Sequence, residues 1–469
     1  MRDRWFVLLP RTGLRATARD RPPTAVLPRD SPLVVVDMVG DAALVEVPNG
    51  AGGALRGLGA EVQVARMVHY RPALARPEVL ARPAGALTAG VLDVAVVSAA
   101  DGMPLTGATV LAFTDYAARM GSYGRTRRDG TLRLAIGSAP MVERVYVLGA
   151  VGHWSLLRRR VDPGRPLRLA IHPFDHREPD GRGFRVGTPR LTAGQGVHVA
   201  LIDTGVARDH PDVVVAAGRN CVTGEDPADY GPNGHEHGTH VAGIVGGRGR
   251  APTGRRGIAP GAELFSYRAF GQGDGEATSF AIAKALDAAV QDGCDVVNLS
   301  LGGGGADPVV RAAVEEAQES GLIVVAAAGN DGRAPVAFPA DLPDVVAVSA
   351  LGRTGTFPRT AGGAAERRGP YGRDGADFVA AFSNIGAIDV TAPGVGIVST
   401  VPGGYLDLDG TSMACPFVTG ILARTLSGNR RLRALPRSPE RAARLLAVLH
   451  RRARSLGFPS SLEGDGLAR

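Results

Sequence analysis

Cysteine is nearly absent from this sequence: Cys221, Cys294 and Cys415 are the only three in 469 residues. An odd number at wide spacing supplies neither a disulfide framework nor a cluster of metal ligands. Free thiols suit a reducing compartment. Lysine is rarer still. Lys284 is the only one, so the net charge of +7 is carried almost wholly by arginine. Those arginines are scattered or sit in loops, as at Arg158–Arg160, Arg367–Arg368 and Arg451–Arg452. No aromatic residues are interleaved with them, which is not the pattern of a nucleic-acid-binding surface. Long apolar runs are missing too, and none approaches the ~18 residues of a membrane span. Trp5–Leu9 follows the charged stretch Met1–Arg4 but stops at Pro10, too short for the apolar core of a signal peptide. These absences lead us to expect a cytoplasmic protein with no nucleic-acid partner and no membrane partner. Secretion by a route not readable in the sequence is the alternative.

What is present is an ordinary globular composition, 44% hydrophobic and 21% charged, with enough apolar surface for a large core. The length calls for two or three domains. The 65 glycines and 33 prolines favour loops and tight turns over long helices.

Three units follow from the patterning. Residues 1–86 read as a small α+β unit: strands at Trp5–Leu9, Leu33–Asp37 and Ala43–Val47, a Gly40-Asp41 turn, a short helix at Ala51–Leu58 and a strand at Glu61–Tyr70. Arg15–Pro32 reads as a loop. Arg71–Ala86, with Pro72, Pro77 and Pro83, reads as a linker. Residues 87–173 show short strands at near-regular spacing, which predicts a β-sandwich accessory module. From residue 179 to 469 strands and helices alternate, which predicts an α/β unit with a parallel sheet and helices on both faces. Ligands bind such sheets outside the carboxyl ends of the strands. The candidates for chemistry sit there.

Asp203 closes the strand Val197–Ile202 and precedes Thr204-Gly205. His237 lies in His235-Glu236-His237-Gly238-Thr239-His240. This is no zinc helix, because position 239, four after His235, is Thr. Ser412 lies in Gly410-Thr411-Ser412-Met413-Ala414-Cys415-Pro416, at the start of an apolar helical stretch. Free N–H groups and the helix dipole favour developing negative charge there. A capping serine looks the same locally. The company of an acid and a base in the order Asp, His, Ser is what separates a nucleophile from a cap.

With these blocks the region from about Pro179 to Arg469 resembles the subtilisin-like (subtilase) serine peptidase family. The blocks are Val199–Gly205, His237–Gly243 and Gly410–Pro416. The resemblance implies a serine endopeptidase acting on protein or peptide substrates through an acyl-enzyme, with no obligatory cofactor. In that reading Ser412 attacks, His237 is base then acid, and Asp203 orients the imidazole. Asn330, in Ala326-Ala327-Ala328-Gly329-Asn330, supplies an oxyanion donor. Ser300, Leu301 and Gly302 border the substrate on one side, Gly271 and Gly273 on the other, where glycines let an extended peptide approach.

The pattern departs from the family in places. Position 417 is Phe where His is common, and 415 is Cys where Ser is common. Both read as buried packing. Many relatives hold a structural Ca²⁺ in the loop that here runs Gly246–Ile258. This loop carries Arg248, Arg250, Arg255 and Arg256 and no carboxylate, so no metal is expected there, and Asp212 alone matches one family ligand. Arg353–Asp377 reads as an inserted surface loop. Residues 1–86 resemble the family's small prodomains, which leaves two readings, an intramolecular chaperone or a fixed accessory domain. The Gly-Ala-Thr-Val-Leu-Ala and Asp-Gly-Thr-Leu-Arg-Leu segments of the second unit resemble transthyretin-like modules of the carboxypeptidase-regulatory type.

Overall fold

The structure is a computed structural model and describes residues 5–10, 31–58, 62–83, 90–175, 178, 180–249, 254–303 and 305–469. The expected loop at Arg15–Pro32 falls almost entirely outside the described residues. So do Met1–Arg4, Glu61, the first residues of the second unit, Pro179 and Arg250.

The N-terminal unit is one antiparallel sheet of β1 (Trp5–Pro10), β2 (Val34–Val39), β3 (Ala42–Glu46) and β4 (Val62–Arg66), in the order β2-β3-β1-β4. Strand periodicity divides its side chains between two cores. Leu8, Ala43 and Val45 pack against the 3₁₀ turn at Gly52–Gly57. Val7, Leu9, Ala42, Leu44 and Ala65 join the core of the third unit.

The expected strand Glu61–Tyr70 is two strands. After β4 the chain breaks at Met67-Val68 and continues as β5 (His69–Pro72), which leaves the N-terminal sheet. The buried residues Ala65 of β4 and Tyr70 of β5 are five positions apart, so the change of partner comes with a change of the buried face.

The second unit packs two sheets face to face. They hold β6 (Val91–Ser98), β7 (Thr109–Asp115), β8 (Met120–Arg125), β9 (Thr131–Ala135), β10 (Val142–Leu148), β11 (Leu156–Val161) and β12 (Leu167–Ile171), ordered β11-β10-β7-β8 and β12-β6-β9. Alternating residues such as Leu92, Val94, Val96, Val110, Val145 and Val147 fill the space between.

The third unit is built on an eight-stranded sheet. After α1 (Gly181–Val186) come β13 (His198–Asp203), β14 (Val215–Asn220), α2 (His237–Gly246), β15 (Glu263–Arg268), the short β16 (Ala277–Thr278), α3 (Ser279–Gln291) and β17 (Val296–Leu299). The short β18 (Leu301–Gly302), α4 (Pro308–Glu319), β19 (Ile323–Ala327), β20 (Val346–Arg353), β21 (Asp377–Val379) and β22 (Val390–Pro393) follow. The order is β14-β15-β13-β17-β19-β20-β21 with β22 beside β20, and every pair is parallel except β20 with β21. The hairpin β23 (Ile397–Val401) and β24 (Gly404–Leu408) leads into α5 (Thr411–Gly428). The C-terminal stretch adds α6 (Arg430–Arg433), α7 (Pro439–Arg452) and α8 (Ser460–Glu463).

Helices α2 and α5 pack on one face of this sheet, in a core with Val199, Leu201, Val325 and Val348. Helices α3 and α4 pack on the other, with Ala200, Ile202, Val297 and Val324. Alternate residues of one strand thus serve opposite layers, which is why these strands read as unbroken apolar runs. Cys415 and Phe417 are both fully buried in the α5 core, as their reading as packing requires.

Candidate active site

Each candidate sits at a strand end or helix start created by this layering. Asp203 is the last residue of β13, and His237 the first of α2. The two are almost completely buried, and His237 Nδ1 lies 2.7 Å from Asp203 Oδ1, which also accepts the Thr204 N–H at 2.7 Å. A neighbouring glycine makes the approach possible. A Cβ on Gly238 would lie 2.4 Å from the Gly205 carbonyl oxygen and 3.1 Å from Asp203 Oδ1.

Ser412 is in the first turn of α5, and Pro416 is accommodated in the same stretch. Its Oγ donates to the Ser300 carbonyl at 2.9 Å, and Ser300 Oγ donates to the Ser412 carbonyl at 2.9 Å. Among the described residues His237 Nε2 has no hydrogen-bond partner. The Ser412 hydroxyl and the His237 imidazole are therefore not hydrogen-bonded to each other. Asn330 follows β19; its Oδ1 accepts from Thr411 N at 2.9 Å and Thr411 Oγ1 at 3.1 Å. That fixes the amide plane and leaves Nδ2 as the donor for an oxyanion.

The cleft is occupied by the chain itself. Strand β5 lies between two short strands: His69 and Tyr70 pair with Thr278 and Ala277, and Arg71 and Pro72 pair with Gly302 and Leu301. Beyond β5, Ala73 N donates to the Ser300 carbonyl at 3.0 Å, and the Ala73 carbonyl accepts the Ser412 N–H at 3.0 Å. Ala75 N donates to the Asp409 carbonyl at 2.9 Å. A Cβ on Gly410 would lie 2.6 Å from that Ala73 oxygen, so the residue before Thr411 can only be glycine while this strand is bound.

Residues 71–75, expected as linker, are thus the occupant of the cleft. Leu301 and Gly302 pair with this strand along one side, and the Ser300 carbonyl accepts the Ala73 N–H. The opposite edge is Ala277–Thr278, while Gly271 and Gly273 turn back onto Asn233: its Nδ2 donates to the Gly271 carbonyl at 2.9 Å, and Gly273 N donates to its carbonyl at 2.7 Å.

Several residues of the site carried no sequence signal. Glu236, beside His237, pairs with Arg76 just past the occupied subsites. Burial pushes the Glu236 carboxyl up, but the Arg76 guanidinium and its hydrogen bonds outweigh this and hold it down at about 2. Burial drives Asp409 the other way, helped by neighbouring Asp407, to about 8, and burial lifts Asp407 to about 6. Asp407-Leu408-Asp409 directly precedes Gly410, so proximity to the motif was the available clue; burial was not legible. The Cys415 thiol is raised by burial and points Sγ at the Val325 carbonyl, 3.3 Å away, which makes it inert.

The residues weighed above as a calcium site are engaged within the chain. The Asp212 carboxylate accepts from Tyr405 Oη. Arg248 pairs with Arg256, and Arg255 extends its guanidinium to the Glu178 and Asp175 carbonyls at 2.9 and 3.0 Å. Among the described residues no group of three or more His, Cys, Asp or Glu is placed to hold a metal ion.

An imidazole fixed by a buried carboxylate is a base for acyl transfer, and a peptide carbonyl resting on a serine N–H makes peptides the acyl donor. Fold and site define a serine peptidase. The chain belongs to the subtilase family, whose model (Peptidase_S8: Subtilase family) matches residues 194–463. It is similar to Subtilisin DY of Bacillus licheniformis, 38% identical over 240 residues, a match that covers 50% of this chain and 78% of that protein. It is also similar to Subtilisin BL of Lederbergia lenta, 38% identical over 236 residues that cover 50% of this chain and 77% of the relative. Subtilisin Savinase of the same organism is 38% identical over 237 residues, 50% of this chain and 77% of the relative. The protein is a serine endopeptidase that hydrolyses peptide bonds of protein or peptide substrates.

Proposed function

We propose that Asp203, His237, Ser412 and Asn330 are the catalytic machinery, and that the first peptide bond it cuts is its own Ala73–Leu74. One observation carries this reading: the Ala73 carbonyl accepts the Ser412 N–H at 3.0 Å within a strand paired on both sides.

In the reaction Ser412 Oγ leaves the Ser300 carbonyl, gives its proton to His237 Nε2 and bonds to the Ala73 carbonyl carbon. The negative charge moves to the carbonyl oxygen, where the Ser412 N–H and Asn330 Nδ2 stabilise it. Asp203 holds the imidazole tautomer and stabilises the imidazolium. His237 then protonates the Leu74 nitrogen as the C–N bond breaks. Water, deprotonated by His237, resolves the acyl-enzyme. The chemistry uses the chain's own side chains, and the cationic loop at Arg248–Arg256 argues against a calcium requirement at that position.

This reading favours the prodomain over the fixed accessory domain for residues 1–73. Their sheet packs against α3, where Asp37 Oδ2 bridges Lys284 Nζ of that helix and Thr223 Oγ1, both at 2.6 Å. The second unit would remain attached as a transthyretin-like accessory module. Expression of the full chain and of Ser412→Ala tests the reading. The active chain is expected to accumulate a fragment beginning at Leu74, read by intact mass, and the variant to keep its original N-terminus. The same N-terminus in both would reject self-processing.

A further inference from the structure

Tyr70 is the fourth residue on the acyl side of the Ala73–Leu74 bond, counting Ala73 as the first. Its side chain is completely buried, packed with Ala277 and Leu301 and tilted against Phe338 at 6.3 Å between ring centroids. Apolar side chains surround the ring, and polar groups gather about the hydroxyl, where Ser279 also hydrogen-bonds Asp307. There Tyr70 Oη donates to Asp307 Oδ2 at 2.8 Å. Asp307 is itself fully buried and caps α4, its Oδ1 accepting from Val309 N at 2.9 Å and Val310 N at 3.4 Å.

One carboxylate oxygen therefore serves the helix and the other faces the ligand. We propose that this pocket selects tyrosine over phenylalanine four residues ahead of the scissile bond, and that Asp307 is the residue that sets this specificity. The inference rests on residues 69–73 acting as a substrate-like strand.

An apolar pocket without Asp307 would take a phenyl ring at least as well as a phenol, because the hydroxyl costs desolvation. With Asp307 present the preference reverses. A phenyl ring would take the phenol donor from Oδ2 and leave Ser279 as the one side chain still hydrogen-bonding this carboxyl, and a buried acceptor that loses a partner is penalised. Sites built to bond a hydroxyl reject the analogue that lacks it, by as much as ~10⁴-fold where the pocket is rigid. A cationic side chain is a weaker candidate. The N-terminus of α4 and the Ser279 side chain already stabilise the Asp307 carboxylate.

The other explanation of the contact is docking alone: Tyr70 and Asp307 would merely hold the N-terminal unit in place. That role makes no prediction for a peptide supplied in trans. The test uses quenched fluorescent peptides Xaa-Arg-Pro-Ala-Leu-Ala, with Xaa as Tyr, Phe or Arg, and the full chain after self-cleavage. The ratio of kcat/KM between peptides is independent of the fraction of active enzyme. Wild type is expected to prefer Tyr over Phe by about tenfold or more, with Arg no better than Phe. Asp307→Ser keeps a helix cap and removes Oδ2, and is expected to bring the Tyr/Phe ratio to about one. Equal rates for Tyr and Phe in wild type, a faster Arg peptide, or an unchanged ratio in Asp307→Ser would each overturn the inference and leave the peptidase reading standing. No turnover of any peptide, together with no self-cleavage, would overturn that reading and this one with it.

Discussion

Ser412 keeps its hydroxyl on the Ser300 carbonyl while His237 Nε2 has no partner among the described residues. The proposed oxyanion donors, by contrast, are preset: the Ser412 N–H already holds a carbonyl, and Thr411 fixes Asn330. Replacing Asn330 with Ala should therefore lower kcat with little effect on KM. The expected loss is that known for removing such a donor from subtilisin, about 100- to 1000-fold. Steady-state kinetics on a peptide substrate measures it, and a loss confined to KM would reassign Asn330 to ground-state binding. Asp409 makes a separate prediction. Its carboxyl titrates near 8 in the folded chain, raised first by burial and then by Asp407, against about 3.9 when unfolded. Between these values the folded state holds a proton that the unfolded state releases, so this contribution to stability is full below about pH 4 and falls as pH rises towards 8. Asp409→Asn needs no proton. In a Ser412→Ala background its melting temperature, relative to the parent, should rise more at pH 8 than at pH 5. The same difference at both pH values would show that Asp409 is ionised in the folded chain.

Elements with their own start signals were readable. Helix α4 runs Pro308–Glu319 on an apolar period, with Val309, Val310, Ala313, Val314 and Ala317 as its buried face. The strand carrying Val199–Ile202 and the helix beginning at His237 follow from an apolar run and a block of small residues. What failed was partner choice. Residues 61–70 read as one strand, yet β4 pairs with β1 and β5 with β16 and β18. Alternation reports that a residue faces a core; it does not say which core. The edge strands β14 and β23–β24 were missed for a related reason, since short strands beside glycines lack a distinctive period. The second substrate edge was placed at Gly271 and Gly273 because glycine permits close approach, but approach alone does not supply pairing.

At the scale of the whole molecule the insertion Arg353–Asp377, expected as a free surface loop, is a platform for the second unit. Leu157 N donates to the Thr360 carbonyl at 2.7 Å, and Gly362 N donates to Ser155 Oγ at 3.0 Å. Ser155 in turn donates through N and Oγ to the two Asp407 oxygens at 2.8 and 2.6 Å. This seam lies beside a cavity of about 150 Å³ lined by Leu74, Tyr116, Tyr146, Asn330 and Asp409, on the leaving-group side of the bond to be cut. Ser155→Ala would leave Asp407 Oδ2 and Gly362 N–H without their buried partner. The expected cost is about 1–3 kcal/mol, read by urea unfolding of the Ser412→Ala chain. No change would mean that the seam contributes nothing to stability.

The proposed catalytic residues and the sheet that carries them were legible in the sequence alone. Each block is a contiguous run whose residue types are dictated by local geometry: an acid ending a buried strand, a histidine followed by the one residue small enough to pass Gly205, and a serine opening a buried helix. Only the tertiary structure decided what lies on that serine. Tyr70–Ala75 reach Ser412 through pairings with residues far along the chain, and no local pattern encodes the partner of an extended strand. The same holds for the carboxylates around the cleft. Asp307, Asp407 and Asp409 are unremarkable in the sequence, and burial, which gives each its chemistry, is a property of the packed molecule.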